Sequence, residues 1–400
     1  MLKIQNLFLN NDIEFVKKYL EEINVSYVEE ISPFTGKKYI HLDYKIEADF
    51  NEIVNECRGL TLDENFEIMR YGYYRFYDLG RDCCDINVNS NIKDIEFESK
   101  EDGSLIILSY FEDQWIAGTR GSTFNNSYVF KNKTYSDLFW ETINIDKNKL
   151  DKDICYMFEF CSTKNRIVVK YNNDELFLTG ARRKSDNWSE LKSDELDIIA
   201  KELNVLRPKI YKFNSIEKCV LNLLSLDLNH EGYVLKRWND NLKRYERAKA
   251  KGKQYLEASR IICGLSLSSF VSMILSDKYV FFEKDFEEIY KEACELKDII
   301  IEESGKVDYI YQLEYDKVKD IENDGERKKQ FVINIKNIKT KYEKEIFNIY
   351  QKNTGFYDYL ISQYNYLINK TGNAKILCKK IISLFDLHNK LKIVFFRDEI

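Results

Sequence analysis

The sequence predicts an α+β protein in two parts: mixed and antiparallel sheets with helices over residues 1–258, then an all-α domain over residues 259–400. Three observations carry this. Short apolar runs, several with period-two alternation, crowd the chain up to about residue 255. From about Leu256 those signals fade and apolar residues recur three or four positions apart. Pro33 and Pro208 are the only prolines, so no proline-rich linker interrupts the chain.

Taken in order, an early helix is expected over 12–23 and another over 194–203. Strands are expected at 94–97, 105–110, 115–119, 154–161, 167–171, 176–179, 232–238 and 244–251. Two hairpins are marked by Glu112-Asp113-Gln114 and Asn239-Asp240-Asn241. The tail carries helical spacing at 286–296, 309–321, 330–350 and 374–387, and its apolar stripes read as core.

Composition excludes several classes. A net charge of -6 argues against a protein that coats DNA by bulk electrostatics. The charge is uneven, however. Lys236, Arg237, Lys243, Arg244, Arg247, Lys249, Lys251 and Lys253 face only Asp240 and Glu246 in the same stretch. Arg247, Lys249 and Lys251 alternate, which on a strand puts all three cations on one face. Nine cysteines with no CxxC pair and no signal peptide read as reduced thiols in the cytoplasm. His41, His230 and His388 are too few for a His-rich metal centre and suggest no Ser-His-Asp machinery. The longest apolar stretch, 264–275, is too short to span a bilayer.

The most informative run is Glu98-Ser99-Lys100-Glu101-Asp102-Gly103-Ser104. It places a lysine at the end of one apolar strand and an Asp-Gly-Ser turn before the next. A lysine attacks only when neutral, and on the order of one in a thousand is neutral near pH 7. Burial and neighbouring cations lower its pKa, and a turn beside an apolar sheet supplies both. Lys100 is therefore expected to be a nucleophile held deprotonated. A solvated turn lysine is the plainer reading of the same four letters.

Other features fall in order around it: Glu56-Cys57-Arg58-Gly59, Tyr74-Arg75-Phe76-Tyr77, Gly118-Thr119-Arg120-Gly121, Phe158-Glu159-Phe160 followed by Asn165-Arg166-Ile167-Val168, Glu231-Gly232-Tyr233-Val234, and Lys249-Ala250-Lys251 followed by Tyr255. This order, over roughly residues 39–256, resembles the covalent nucleotidyltransferase superfamily of ligases and RNA-capping enzymes. In detail it resembles the ATP-dependent RNA ligases of the phage tRNA-repair type, the RNA ligase 1 family.

The resemblance implies an adenylyltransferase domain and the following roles. Lys100 attacks ATP and carries AMP. Tyr44 and Arg58 lie at the nucleotide. Arg75 and Arg120 stand where the family usually has lysines, which keeps the charge and changes its geometry. Glu159 binds ribose or a metal, and Glu231 assists a metal-bound phosphate. Lys249 and Lys251 hold the α-phosphate. Asp102, Gly103 and Tyr255 support the turn, and Asp277 in the tail is a loose match to a metal-linked carboxylate. The implied cofactors are ATP and Mg²⁺ or Mn²⁺. The implied partner is RNA, such as tRNA broken in its anticodon loop, with the helical tail as an RNA-recognising part. No G-x-x-x-x-G-K-[ST] segment is present: Thr35-Gly36-Lys37-Lys38 lacks the first glycine and the hydroxyl. End healing is thus expected from a separate kinase and phosphatase.

Other readings stay open at this point. A GTP-using capping enzyme or a DNA ligase shares K-x-D-G, though no alternating strands for an appended barrel follow Lys251. A catalytically inactive RNA-binding protein would also use the cations and aromatics. Arg58 with Glu159 could be a buried ion pair, Tyr44 a core residue, and Glu231-Gly232 a turn.

Overall fold

A computed structural model describes residues 1–124, 128–130, 133–142, 145–164, 166–263, 265–352 and 354–387. Asn165 and His388 lie outside the described residues. The chain divides into two compact units, Met1–Ile262 and Cys263–Ile400. The architecture is α+β: sheets with helices in the first unit, helices in the second.

Among the described residues, three larger sheets and a two-stranded pair, Tyr128–Phe130 with Lys133–Thr134, build the first unit. The first is antiparallel, ordered Val25–Ile31, Lys38–Tyr44, Arg58–Leu62, Ile68–Arg70. The sequence expectations did not include it; its last two strands are short, and register shifts fall at Leu42/Asp43 and Thr61/Leu62. Helices Lys3–Asn10 and Ile13–Glu22 cover it. The Asp12 side chain accepts from Phe15 N at 2.9 Å to start the second helix, and Val16 and Leu20, one turn apart, are fully buried.

The second sheet is ordered Ser189–Glu190, Glu175–Arg183, Ile154–Cys161, Ser104–Phe111, Gln114–Thr119. Glu112 and Asp113 form its two-residue hairpin turn with φ of 53° and 57°, the conformation that matches strand twist. The third is ordered Ile210–Tyr211, Glu96–Lys100, Gly232–Asn239, Arg244–Lys251, Tyr77–Asp78, with the last pairing parallel. One expected strand is absent. Residues 167–169 form bends and 170–171 are irregular, and Val168 N and Val169 N donate to Asp102 Oδ2 at 2.8 and 2.7 Å, where a strand would pair them with a ladder.

In the second unit, the expected segments 286–296 and 309–321 are joined in one 30-residue helix, Glu287–Asp316, which ends before residues 317–321. The expected 330–350 helix is two, Asp324–Ile338 and Glu343–Lys352, because Lys339 turns left-handed at φ 53°. Aromatic contacts such as Phe331 on Tyr350, centroids 4.6 Å apart, fill its core. No single helix among the described residues is long and apolar enough to cross a membrane.

One glycine fixes how the third sheet closes. Gly232 has φ +142°, and a Cβ there would lie 2.1 Å from Ala250 O. Gly232→Ala is expected to cost on the order of 1–3 kcal/mol, read as a lower urea midpoint at unchanged m-value. An unchanged midpoint would contradict the packing described.

Candidate active site

Lys100 ends its strand where the chain leaves the third sheet, and Ser104 begins a strand of the second. Glu101-Asp102-Gly103 is thus the crossing between two sheets. Asp102 anchors it: besides the two amides of Val168 and Val169, its Oδ1 accepts from the Tyr255 hydroxyl at 2.7 Å. Gly103 N donates to Glu159 Oε1 at 3.2 Å, and a Cβ on Gly103 would meet Phe160 O at 2.5 Å. Only glycine lets the turn approach the glutamate strand so closely. Asp102, Gly103 and Tyr255 therefore position the lysine without themselves lining its cavity.

Cross-strand register does the rest. Gly232 pairs with Lys100 on one side and with Lys251 on the other. Glu231, one residue earlier and 3% exposed, sits between the two amines. Its Oε2 accepts from Lys100 Nζ at 2.7 Å, and its Oε1 lies 2.9 Å from Lys251 Nζ. One buried carboxylate bridges two lysines.

This overturns the expectation that Lys100 is held neutral. Burial alone would lower its pKa, but attraction to Glu231 and Glu159 and the Glu231 hydrogen bond outweigh it, and the net shift is upward. Glu231 is lowered: burial opposes ionisation, and Lys100 and Lys251 overcome it. The lysine nearest neutrality is Lys249, which burial brings down to about 8, with Arg58, Lys251 and Lys100 adding to the effect and Asp78 opposing it.

The amine faces a cavity of about 220 Å³. Tyr44, Arg58, Arg120, Glu159, Lys249 and Lys251 line it with Lys100, so seven expected site residues converge. Leu105 and Val234 give it apolar wall. Arg247, Lys249 and Lys251 share one face, but Arg247 is bound to Glu190 at 2.6 and 3.1 Å, which leaves the two lysines for a ligand. Arg58 has no ion pair with Glu159. Its guanidinium lies over Phe76 and Tyr73, 4.7 and 5.5 Å from their centroids. Its Nε and Nη1 are buried without a hydrogen-bond partner. Buried orphan donors in a cavity wall call for an acceptor from outside the chain.

Two expected residues fall elsewhere. Arg75 does not line the lysine cavity. Its Nη1 donates to Ala48 O at 2.8 Å, and its guanidinium lies 4.1 Å from the Tyr44 centroid, so it acts through that ring. Asp277 belongs to the second unit, where it lies 3.6 Å from Lys297. Glu231 is engaged by two lysines, whereas Asp277 is largely exposed. Among the described residues no three His, Cys, Asp or Glu side chains form a metal cage.

A matching family model, described as RNA ligase, spans residues 56–256, half of the chain. The chain belongs to the RNA ligase family. A 255-residue stretch is 26% identical to a protein of Autographa californica nuclear polyhedrosis virus named as a bifunctional polynucleotide kinase/RNA ligase, covering 59% of this chain and 35% of that one. The chain thus spans about a third of that relative. It is 23% identical over 355 residues to an RNA ligase of Rhodothermus phage RM378, covering 73% of this chain and 81% of that one. Among solved structures, an archaeal ATP-dependent RNA ligase is similar at TM-score 0.44 and 13% identity, over 72% of each chain.

Within this RNA ligase family member, the sequence expectations omitted Tyr73 and Phe76, which line the cavity, and Asp43, which acts on it through Arg120. Asp43 pairs in register with Arg58 at a strand irregularity and holds Arg120 Nε at 3.0 Å. Burial pushes its carboxyl up to about 6 despite both arginines. A charged residue beside Tyr44 in the run Ile40-His41-Leu42-Asp43 was the available signal.

Glu159 yields a test of the site's electrostatics. Burial raises its pKa from 4.5 to about 7, against the pull of Lys100. Between those values the unfolded chain ionises while the folded one resists, so the residue costs stability as pH rises from about 4.5 to about 7. Glu159→Gln keeps an acceptor for Gly103. It should stabilise the protein by on the order of 1–3 kcal/mol more at pH 8 than at pH 4, discounted for partial exposure. Urea unfolding at both pH values checks this, and a pH-independent difference would count against a buried, reluctant carboxylate.

Proposed function

We propose that the chain is an ATP-dependent RNA ligase that joins RNA 3′-hydroxyl and 5′-phosphate ends through a lysyl-AMP enzyme. The observation that carries this is a single juxtaposition. The Lys100 amine opens on a cavity whose walls hold Lys249, Lys251 and the orphan donors of Arg58. That set suits a nucleotide phosphate next to an amine.

Three phosphoryl transfers follow from it. The neutral Lys100 amine attacks the α-phosphorus of ATP, a P–N bond forms, and the P–O bond to pyrophosphate breaks. An RNA 5′-phosphate oxygen then attacks that phosphorus, and the P–N bond breaks as nitrogen regains a proton. Finally an RNA 3′-hydroxyl attacks the 5′-phosphorus and AMP leaves. Positioning and charge govern each step. Lys249 and Lys251 oppose the charge that develops on the α-phosphate.

The resting ion pair sets the order of events. Lys100 starts protonated on Glu231, so before attack its proton passes along that hydrogen bond to the Glu231 carboxylate. A phosphate at Lys251 draws that lysine away from Glu231. A divalent cation, Mg²⁺ or Mn²⁺, would be held chiefly by triphosphate oxygens together with Glu159, which has no ion-pair partner among the described residues. Such an ion supplies charge neutralisation for the leaving pyrophosphate.

The substrate class we favour is broken RNA in repair, including tRNA cut in its anticodon loop. In this reading the helical unit recognises RNA, and a separate kinase and phosphatase prepares the ends. Cytoplasmic residence fits the eight cysteines whose side chains are described, all free thiols.

The test is incubation with α-labelled ATP, with GTP as competitor, followed by denaturing electrophoresis. Label is expected on the wild-type chain at a site mapped to Lys100, and at least about a thousandfold less on Lys100→Ala. Equal labelling of that variant, or preference for GTP, would overturn the assignment.

A further inference from the structure

The first unit holds a second cavity of about 540 Å³, against 220 Å³ for the lysine cavity. The two share a wall. In the run Tyr73-Tyr74-Arg75-Phe76-Tyr77, Tyr73 and Phe76 line the lysine cavity, and Tyr74, Arg75 and Tyr77 line the larger one. None of the expected site residues except Arg75 lines the larger cavity.

Its walls combine aromatic faces with cations. Phe50 is 58% exposed, an unusual cost for a phenylalanine, and its ring lies 6.1 Å from that of Tyr77. The Arg244 guanidinium lies 4.1 Å from the Tyr74 centroid, and Lys243 extends from the hairpin turn beside it. Five cations, Lys3, Arg75, Arg182, Lys243 and Arg244, line the space with three carboxylates, Glu52, Glu56 and Asp85. Those carboxylates are engaged: Glu56 accepts from Lys3 N and Ile4 N, Glu52 pairs with Lys3, and Asp85 lies 3.7 Å from Arg244. Arg182 is held by Glu190 at 3.0 Å, and among the described residues Lys243 and Arg75 have no acidic partner, so the surplus is positive.

We propose that this cavity binds an unpaired nucleotide of the RNA strand, its base against the Phe50 and Tyr74 rings and its phosphate at Lys243 and Arg244. This rests on the RNA ligase reading and assigns to it a place for RNA outside the nucleotide cavity. Aromatic faces with nearby cations bind single-stranded bases regardless of sequence, whereas a duplex would keep its bases stacked and out of reach. The shared wall gives the site a second consequence. The Arg75 guanidinium lies 4.8 Å from the Tyr77 centroid and 4.1 Å from that of Tyr44, so the RNA cavity and the nucleotide cavity meet at one side chain.

The experiment uses the full chain and a fluorescein-labelled 12-nucleotide single-stranded RNA, read by anisotropy without ATP. Phe50→Ala and Lys243→Glu alter exposed side chains, of which Phe50 has its ring beside the buried Tyr77. The double variant is expected to bind about tenfold or more weakly, a size typical of losing one stacked base and one phosphate contact. Labelling of Lys100 by ATP should stay within twofold of wild type, which also shows that the variant is folded. Unchanged RNA affinity in the double variant would overturn the proposal, as would an equal loss for a blunt RNA duplex. If wild type takes no label from ATP while the variants still lose single-stranded RNA, the ligase reading fails and the cavity assignment stands.

Discussion

The site turns on one buried carboxylate between two lysines. Glu231 holds Lys100 and Lys251 at 2.7 and 2.9 Å, and the three belong to adjacent strands joined through Gly232. A buried charge without partners is far more costly than a paired one. The second lysine leaves a positive surplus at the cavity. The ligand-free protein therefore stores Lys100 as an ion pair, and a nucleotide phosphate has a reason to displace Glu231 from Lys251. In the proposed reaction, a phosphate that takes Lys251 from Glu231 leaves that carboxylate more basic beside Lys100, so no permanently depressed lysine is required.

Two anchored crossings make that geometry reproducible. Asp102 takes three hydrogen bonds and holds the turn that carries the chain between sheets. Glu190 ties the edge of the second sheet to the cation strand of the third by accepting from Arg182 at 3.0 Å and from Arg247 at 2.6 and 3.1 Å. The pattern repeats: a buried glutamate, two cations, two strands. In one place it is used up as structure, since Arg247 has no freedom left. In the other it stays at a cavity wall, where incoming phosphate can compete.

Much of this was legible because it is local in the chain. The Lys100 turn, the 154–161 and 244–251 strands, and the shared face of Arg247, Lys249 and Lys251 follow from adjacent residues and period-two spacing. What was not legible depends on partners distant in sequence. Nothing near Lys100 announces that Glu231 will sit on it, and that contact reverses its expected protonation. Arg75 looked like a nucleotide contact by position, but its guanidinium is spent on Ala48 O and the Tyr44 ring. Residues 167–171 have strand-like composition, yet Asp102 takes the amides of Val168 and Val169. Asp43 acts through a strand irregularity that no periodicity reveals.

The most direct measurement is a ¹³Cε NMR titration of Lys100 in the ligand-free full chain, assigned by its loss in Lys100→Arg. The ion-pair account predicts an amine still protonated at pH 10.5, with a midpoint that falls in Glu231→Gln. A midpoint well below 10.5 in the wild type, unchanged by that substitution, would contradict it.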